Sequence, residues 1–249
     1  MKIRLLDSGS LVIDQGHITW NVGMGNPVRF PVYSVLVEHD EGLFLFDTGY
    51  DLAHVEEVLP FELPQQTPEQ TIPAQLDLCG FSADDVETLV MSHLHFDHVG
   101  GNKHLPAARV LVHAREIAQA RNCEPFEHFG YSDRTWDHAG ARLVPVSGDF
   151  EVAKGLQLVE TPGHTVGHYS LLVKPASGAK AMLFPFDVVY TRDAYDRSMQ
   201  AGFHIDPVAG VRSIRHVRAL AEENDADIFF THDMDAWQTY RHAPDYYEV

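Results

Sequence analysis

Cysteine is scarce in this chain of 249 residues: the two that occur, Cys79 and Cys123, belong to no Cys-x-x-Cys pair and to no Cys/His cluster. A disulfide framework and a thiolate zinc knuckle are therefore excluded as sources of stability. So few thiols are typical of a protein from a reducing compartment, and we predict a cytoplasmic location.

Long apolar runs and basic residues are also lacking. No stretch reaches the roughly 18 apolar residues of a membrane helix, and Asp7 interrupts the N-terminal segment before it could serve as a secretory signal. Lys and Arg number 18 against 36 Asp and Glu, which gives a formal charge of −18. Because such a surface repels polyanions, we expect neither nucleic acid nor a membrane as partner.

Histidine, by contrast, is abundant: its 16 residues nearly equal Lys and Arg together, which suggests metal binding. The length suits one large domain, and no low-complexity linker divides the chain. We therefore predict a single domain over residues 1–249.

The N-terminal third has the pattern of antiparallel strands, and strand and helix patterns alternate after it. Apolar alternation predicts strands at 3–6, 11–13, 29–38, 42–46, 88–91, 109–113, 156–160, 169–174, 181–184 and 227–230. Helices are predicted at 72–78, 114–120 and 207–223. Asp206 is the expected N-cap of the last helix, whose apolar stripe is Val208, Val211, Ile214, Val217 and Leu220. The pattern predicts an α/β fold in which helices cover two mixed β-sheets.

The most informative segment is His93-Leu94-His95-Phe96-Asp97-His98, directly after the apolar run 89–91. In an extended turn His93 and His95 point to one side, whereas Asp97 and His98 come from the following bend and face elsewhere. Imidazole and carboxylate groups are good ligands for divalent ions. The segment therefore presents two ligand pairs to two neighbouring ions.

Further ligands are predicted where other strands end. His164 follows the run 156–160, Asp187 follows 181–184, and His232 follows 227–230. Because strand-end loops converge, we expect these three side chains to complete the two metal sites. A donor set without thiolate favours two Zn²⁺ ions, and iron, manganese or cobalt would also fit.

This order of motifs resembles the metallo-β-lactamase superfamily of binuclear hydrolases over nearly the whole chain. The resemblance implies an αββα sandwich of two mixed β-sheets flanked by helices, with the metals at one edge. It also implies a division of the ligands: His93, His95 and His164 on one metal, Asp97, His98 and His232 on the other, and Asp187 bridging both.

The resemblance assigns supporting roles to two more residues. Asp47, in Asp47-Thr48-Gly49, is similar to the early Asp-Thr-Gly turn of the family, whose carboxylate holds metal-binding histidines from behind. His168 is expected to support the ligands in a similar way rather than to bind metal itself.

Residues at two positions indicate which subgroup of the family this chain resembles. True β-lactamases of the family lack a carboxylate like Asp187, so antibiotic hydrolysis is disfavoured. Tyr190, three residues later, resembles the lactonase branch, where this phenol lies over the open metal position and meets the substrate carbonyl. We therefore predict a metal-dependent lactone hydrolase that attacks with a metal-bridging hydroxide, with Asp97 and Tyr190 as catalytic residues.

The substrate is a small-molecule lactone whose identity the sequence leaves open. The stretches 29–34, 47–51, 125–133 and 203–211 look like those of 4-pyridoxolactonases, so 4-pyridoxolactone is the first expectation. N-acyl homoserine lactones, the substrates of quorum quenching, are the alternative, and a glyoxalase II-like thioester hydrolase is a further one. Expected substrate contacts are Met24, Arg29, Phe30, Phe61, Phe203 and His204. The sequence does not choose between a monomer and a homodimer.

Overall fold

The computed structural model describes residues 1–131, 133–176 and 178–249, so Ser132, in the stretch 125–133, lies outside the described residues. The chain forms two compact units. The first comprises Met1–Val12, Pro31–Val146 and Arg241–Glu248, and the second Ile13–Phe30, Ser147–Tyr240 and Val249. The single domain over 1–249 stays a prediction. Within the described ranges, no helix has both the length and the apolar character needed to cross a membrane.

The described residues form strands and helices with the following bounds. The strands are β1 (Lys2–Asp14), β2 (Pro27–His39), β3 (Gly42–Phe46), β4 (Thr88–Val90), β5 (Arg109–His113), β6 (Leu143–Val146), β7 (Phe150–Ala153), β8 (Leu156–Glu160), β9 (Tyr169–Val173), β10 (Met182–Phe184), β11 (Asp227–Ile228) and β12 (Tyr247–Glu248). The helices are α1 (Gln15–Ile18), α2 (Leu52–Val58), α3 (Ile72–Leu78), α4 (Phe96–Val99), α5 (Ala114–Arg121), α6 (Asp133–Trp136), α7 (Arg192–Arg197), α8 (Pro207–Glu223) and α9 (Met234–Trp237).

The larger sheet has seven strands in the order β12-β1-β2-β3-β4-β5-β6. Strands β2 and β3 form an antiparallel hairpin, and β3, β4, β5 and β6 run parallel. Because Phe46 pairs with Val90, the segments that follow β3 and β4 leave the sheet side by side. Leu45, Leu89 and Met91 are fully buried and give these segments a rigid base.

The smaller sheet has five strands in the order β11-β10-β9-β8-β7. Strand β9 is antiparallel to both β8 and β10, and β11 is parallel to β10. Strands β8, β10 and β11 therefore run in the same direction and end at the same edge. The predicted ligands His164, Asp187 and His232 all follow these ends.

Helix α8 begins and ends where the sequence predicts. Asp206 caps it, because its carboxylate accepts hydrogen bonds from the backbone N–H groups of Val208 and Ala209, both at 2.9 Å. Ile214 and Val217 are buried as expected, but Val208 is 59% exposed. The buried face instead includes Gly210 and other small residues, and a Cβ at Gly210 would collide with the side-chain oxygen of Gln200.

Other departures have local causes. The predicted strands at 3–6 and 11–13 are one strand, β1, because Gly9 adopts a φ of +93° and lets pairing continue through the Ser-Gly-Ser segment. Strands β6, β7 and β12 are absent from the prediction. They contain only two to four residues, too few for a periodic signal.

Candidate metal centre

The predicted His-x-His-x-Asp-His segment lies directly beyond β4 in the first unit. The imidazole of His93 lies 4.6 Å from that of His95 and 4.2 Å from that of His98, measured between ring centroids. Asp97 and His98 belong to the short helix α4, where Asp97 Oδ2 lies 3.7 Å from His98 Nε2. The turn into α4 thus brings ligand-type side chains together behind a buried strand.

Asp47 holds this segment from the neighbouring strand end. Its Oδ1 accepts a hydrogen bond from the backbone N–H of Ser92 at 2.8 Å, and its Oδ2 accepts one from Ser92 Oγ at 2.7 Å. Oδ2 also lies 2.7 Å from His98 Nδ1, which must carry the proton that it donates to a carboxylate. The Nε2 atom of neutral His98 therefore carries the lone pair that a metal ligand needs.

In the second unit, the carboxylate of Asp187 lies beside two histidines. Its Oδ2 is 3.4 Å from His164 Nε2, and its Oδ1 is 3.4 Å from His232 Nε2. Two donors on one tetrahedral ion, each bound at about 2.0–2.1 Å, are separated by about 3.3–3.4 Å. The spacing thus fits a carboxylate that shares one ion with each histidine.

His164 is fixed in the matching tautomer. Its Nδ1 lies 2.7 Å from the backbone carbonyl oxygen of Phe203, to which it can only donate. The lone pair of His164 is therefore on Nε2, the atom near Asp187. Gly163 precedes it with a φ of +138°, and a Cβ there would lie 2.3 Å from the Gly210 backbone. Only glycine fits this turn.

His168 lies behind Asp187. Its Nε2 accepts a hydrogen bond from the Asp187 backbone N–H at 3.1 Å, and its Nδ1 lies 2.9 Å from Thr161 Oγ1. The residue before Asp187, Phe186, has a φ of +48°, an uncommon conformation for a large side chain. These contacts agree with the supporting role predicted for His168, which stays a prediction.

The donor types present suit a divalent metal ion. Among the described residues, side chains that could hold a metal ion include all seven predicted ligands, His93, His95, Asp97, His98, His164, Asp187 and His232. All are buried except His95, which is half-buried. Buried carboxylates are costly without compensating positive charge, and divalent ions would supply it. The ligation itself stays a prediction.

Tyr190 lies beyond β10 and is buried. Its ring is 4.6 Å from that of His232, nearly perpendicular to it, and 6.0 Å from that of His164. The backbone N–H of His232 donates to the Tyr190 carbonyl oxygen at 3.2 Å. The ring of Tyr190 therefore lies beside two predicted ligands, and its catalytic role stays a prediction.

The six predicted substrate residues lie in different surroundings. Phe30 packs edge-on against the His232 ring at 4.7 Å, and Phe203 contacts His164 through its carbonyl oxygen. Arg29 lines a cleft of about 700 Å³ that His232 also lines. His204 packs against Trp20, while Met24 and Phe61 are mostly exposed. Their substrate roles stay predictions.

Two residues near the ligands escape the sequence analysis. Ser92 links Asp47 to the ligand segment, and its position just before His93 is the only local sign of this role. Glu62 is 6% exposed, and burial, followed by the charge of Asp97, raises its pKa to about 8. Glutamate in a Pro- and Phe-containing turn carries no sequence signal of burial.

Comparison with known proteins places this site in a family. The family model of the metallo-beta-lactamase superfamily matches residues 27–179. The chain belongs to the metallo-β-lactamase superfamily. N-acyl homoserine lactonase AttM of Azorhizobium caulinodans is 32% identical to this chain, over 100% of this chain and 99% of its own length. N-acyl homoserine lactonase AiiA of Bacillus thuringiensis subsp. kurstaki is 29% identical, over 98% of each chain.

A solved structure supports the metallo-β-lactamase assignment. An N-acyl homoserine lactone hydrolase with the product N-hexanoyl-L-homoserine at its catalytic metal centre has a TM-score of 0.89 and 28% identity, covering 99% of this chain and 98% of that one. The predicted fold class, two mixed β-sheets flanked by helices in the metallo-β-lactamase fold, is confirmed.

Proposed function

We propose that this protein is an N-acyl homoserine lactonase, a metallo-hydrolase that opens a lactone ring with the help of two divalent ions, most suitably Zn²⁺. The relatives similar over nearly its full length carry that activity in their names. Quorum quenching, the role named for one solved relative of 29% identity, would follow from it. The comparisons favour this substrate, the alternative of the sequence analysis, over 4-pyridoxolactone.

The observation that carries the metal-dependent part of the proposal is the setting of Asp187. Each of its carboxylate oxygens lies 3.4 Å from the Nε2 atom of a different histidine, His164 or His232. Such an arrangement suits a carboxylate that bridges two ions. Together with His93, His95, Asp97 and His98, these residues would hold both metals through imidazole and carboxylate donors, the set that zinc accepts.

Two bound divalent ions would lower the pKa of a water molecule and so supply hydroxide near neutral pH. Asp97, next to His98, is assigned to orient this nucleophile and to take up its proton. As the ring C–O bond breaks, the same carboxyl group returns the proton to the leaving oxygen, and the product is a hydroxy acid.

Tyr190 is assigned to the carbonyl oxygen of the lactone. Negative charge develops on this oxygen when the nucleophile adds, and a phenol O–H held rigidly nearby stabilises it by donating a hydrogen bond. Its burial and its packing against the His232 ring support this role, because the hydroxyl is positioned before the substrate arrives.

The test compares three substrates on one zinc-loaded preparation. N-hexanoyl homoserine lactone, 4-pyridoxolactone and S-lactoylglutathione are each incubated with the enzyme, and the acid released is measured at constant pH. We expect fastest turnover of the acyl homoserine lactone. The Asp97→Asn variant serves as control, because it keeps the shape of the side chain and loses its capacity to accept a proton.

Each alternative outcome refutes a different part of the proposed function. Preference for 4-pyridoxolactone would overturn the proposed substrate and restore the expectation drawn from the stretches 29–34 and 203–211. Thioester cleavage without lactone cleavage would overturn lactone hydrolysis itself. Full activity of Asp97→Asn would remove Asp97 from the proton transfer.

A further inference from the structure

His95 differs from the neighbouring predicted ligands in its exposure. His93 and His98 are at most 1% exposed, whereas His95 is half-buried. A half-buried imidazole has more rotational freedom to lose when it binds an ion. Its orientation therefore depends strongly on the contacts that the surrounding chain provides.

The segment after Pro125–Glu127 provides such contacts. The backbone N–H of Phe96 donates to the Gly130 carbonyl oxygen at 2.8 Å, and His95 forms an isolated β-bridge with Tyr131. The Tyr131 ring lies 4.9 Å from the His95 ring at an interplanar angle of 62°. The backbone and one face of His95 are thus both restrained by residues 130–131.

Gly130 closes a second side of the imidazole. A Cβ at this position would lie 2.7 Å from His95 Cδ2 and 2.8 Å from His95 Nε2. These distances are below van der Waals contact, so the ring occupies the space that any other side chain would need. The His95 ring can therefore occupy its present position only because residue 130 has no side chain.

Glu116, from helix α5, ties these contacts together. Its Oε1 atom accepts a hydrogen bond from the Tyr131 hydroxyl at 2.9 Å and another from the backbone N–H of Leu94 at 3.1 Å. One fully buried carboxylate oxygen thus joins the residue before His95 to the aromatic residue that packs on its ring. Bonds to a charged acceptor are among the stronger ones in proteins.

We propose that Gly130, Tyr131 and Glu116 form a clamp that positions His95 and thereby sets the affinity of one metal position, the one assigned to His93 and His95. The clamp residues are positioning residues, which would touch neither substrate nor metal. The inference rests on the metal-dependent function proposed above and adds residues that the ligand pattern does not contain.

Gly130→Ala is the sharpest perturbation. Gly130 is not among the glycines with positive φ, so alanine fits its backbone conformation. The added methyl group would collide with the movable end of the His95 side chain, whereas the Glu127 carbonyl oxygen, at 3.4 Å, is in ordinary contact. The variant should fold and displace the imidazole. Loss of a group that orients a ligand typically weakens metal binding by about 10- to 100-fold.

The measurement is zinc release to a chromogenic chelator, with two equivalents loaded per chain. We expect Gly130→Ala to release one equivalent at least tenfold more readily than wild type and to retain the other normally. The visible absorption of the Co²⁺-loaded variant should change for one ion only. These readouts do not depend on lactone turnover, so a failed activity assay refutes the proposed substrate and leaves the clamp intact.

Milder variants separate positioning from folding. Tyr131→Phe removes one hydroxyl and should weaken the same equivalent, whereas Tyr50→Phe, which removes a hydroxyl bonded to the Ser10 carbonyl oxygen, should not. Glu116→Gln keeps an oxygen acceptor and should restore most of the affinity lost in Glu116→Leu. The clamp would be refuted if Gly130→Ala released zinc no more readily than the wild-type protein does. It would also be refuted if Gly130→Ala and Tyr131→Phe each weakened the binding of both zinc equivalents equally.

Discussion

The carboxylate of Asp47 gives the most direct test of how this protein prepares a metal ligand. Asp47→Asn changes one oxygen to an NH₂ group and keeps the size of the side chain. It also suits the backbone, because Asp47 has a φ of +58°, a conformation that asparagine adopts more readily than most residues. The perturbation is therefore confined to hydrogen bonding.

The single oxygen of asparagine cannot accept hydrogen bonds from all three donors that the carboxylate binds. If it stays on the Ser92 N–H, the NH₂ group faces His98 Nδ1, which must then become an acceptor. The imidazole proton moves to Nε2, and this atom then no longer has the lone pair that would bind the metal. If the amide flips, the NH₂ group meets the Ser92 N–H, donor against donor.

Either arrangement forfeits a hydrogen bond to a charged group, worth about 1.5–3 kcal/mol. Since a tenfold change in affinity corresponds to about 1.4 kcal/mol, the metal at His98 should bind about 10- to 100-fold more weakly. The assay is competition with a chelator of known zinc affinity, with circular dichroism as the check on folding.

Asp51→Asn is the matched control. Asp51 is the N-cap of helix α2 and pairs with Lys103, so its replacement tests the loss of a half-buried carboxylate in the same region. We expect wild-type zinc affinity from it. If Asp47→Asn binds both equivalents as tightly as Asp51→Asn does, the tautomer argument is wrong.

Three further outcomes are expected. Tyr190→Phe should keep two metal equivalents and lower kcat about 10²- to 10³-fold, and unchanged turnover would contradict its role as an oxyanion donor. In metal-free protein Glu62 takes up a proton on folding, because its pKa rises from 4.5 to about 8. Wild-type stability should therefore fall as the pH rises between these values, and Glu62→Gln should gain about 3 kcal/mol near pH 7 but little near pH 4.5 in urea unfolding. Gly163→Ala should cost several kcal/mol, from a strained φ and a clash with Gly210, whereas Gly25→Ala, with open space around it, should cost only about 1 kcal/mol.

Local patterns predicted those parts of the molecule that depend on neighbouring residues. The turn from His93 to His98 and the N-cap of α8 each involve only a few neighbouring residues, and the structure has the turn and the cap where the pattern puts them. The exposure of Val208 and the burial of Gly210 were not predictable, because Gly210 packs against Gln200, a residue outside the helix.

Long-range partners explain most of what the sequence could not predict. The Ser92 bonds to Asp47 span 45 residues, and the bond from Tyr131 to Glu116 joins a loop to a helix. Neither partner has an unusual local pattern. The role of Asp47 could be anticipated only from a family resemblance, and Gly130 looks in sequence like any loop glycine.

The common direction of β8, β10 and β11 also marks where the second unit can tolerate change. The connection from β7 to β8 and that from β9 to β10 both lie at the sheet edge opposite the one from which His164, Asp187 and His232 emerge. A fluorescent label or an inserted peptide at Lys154 or Lys174 would therefore lie at the end of the sheet that is remote from the predicted ligands. Immobilisation through that edge would keep the attachment point away from the ligand-bearing loops.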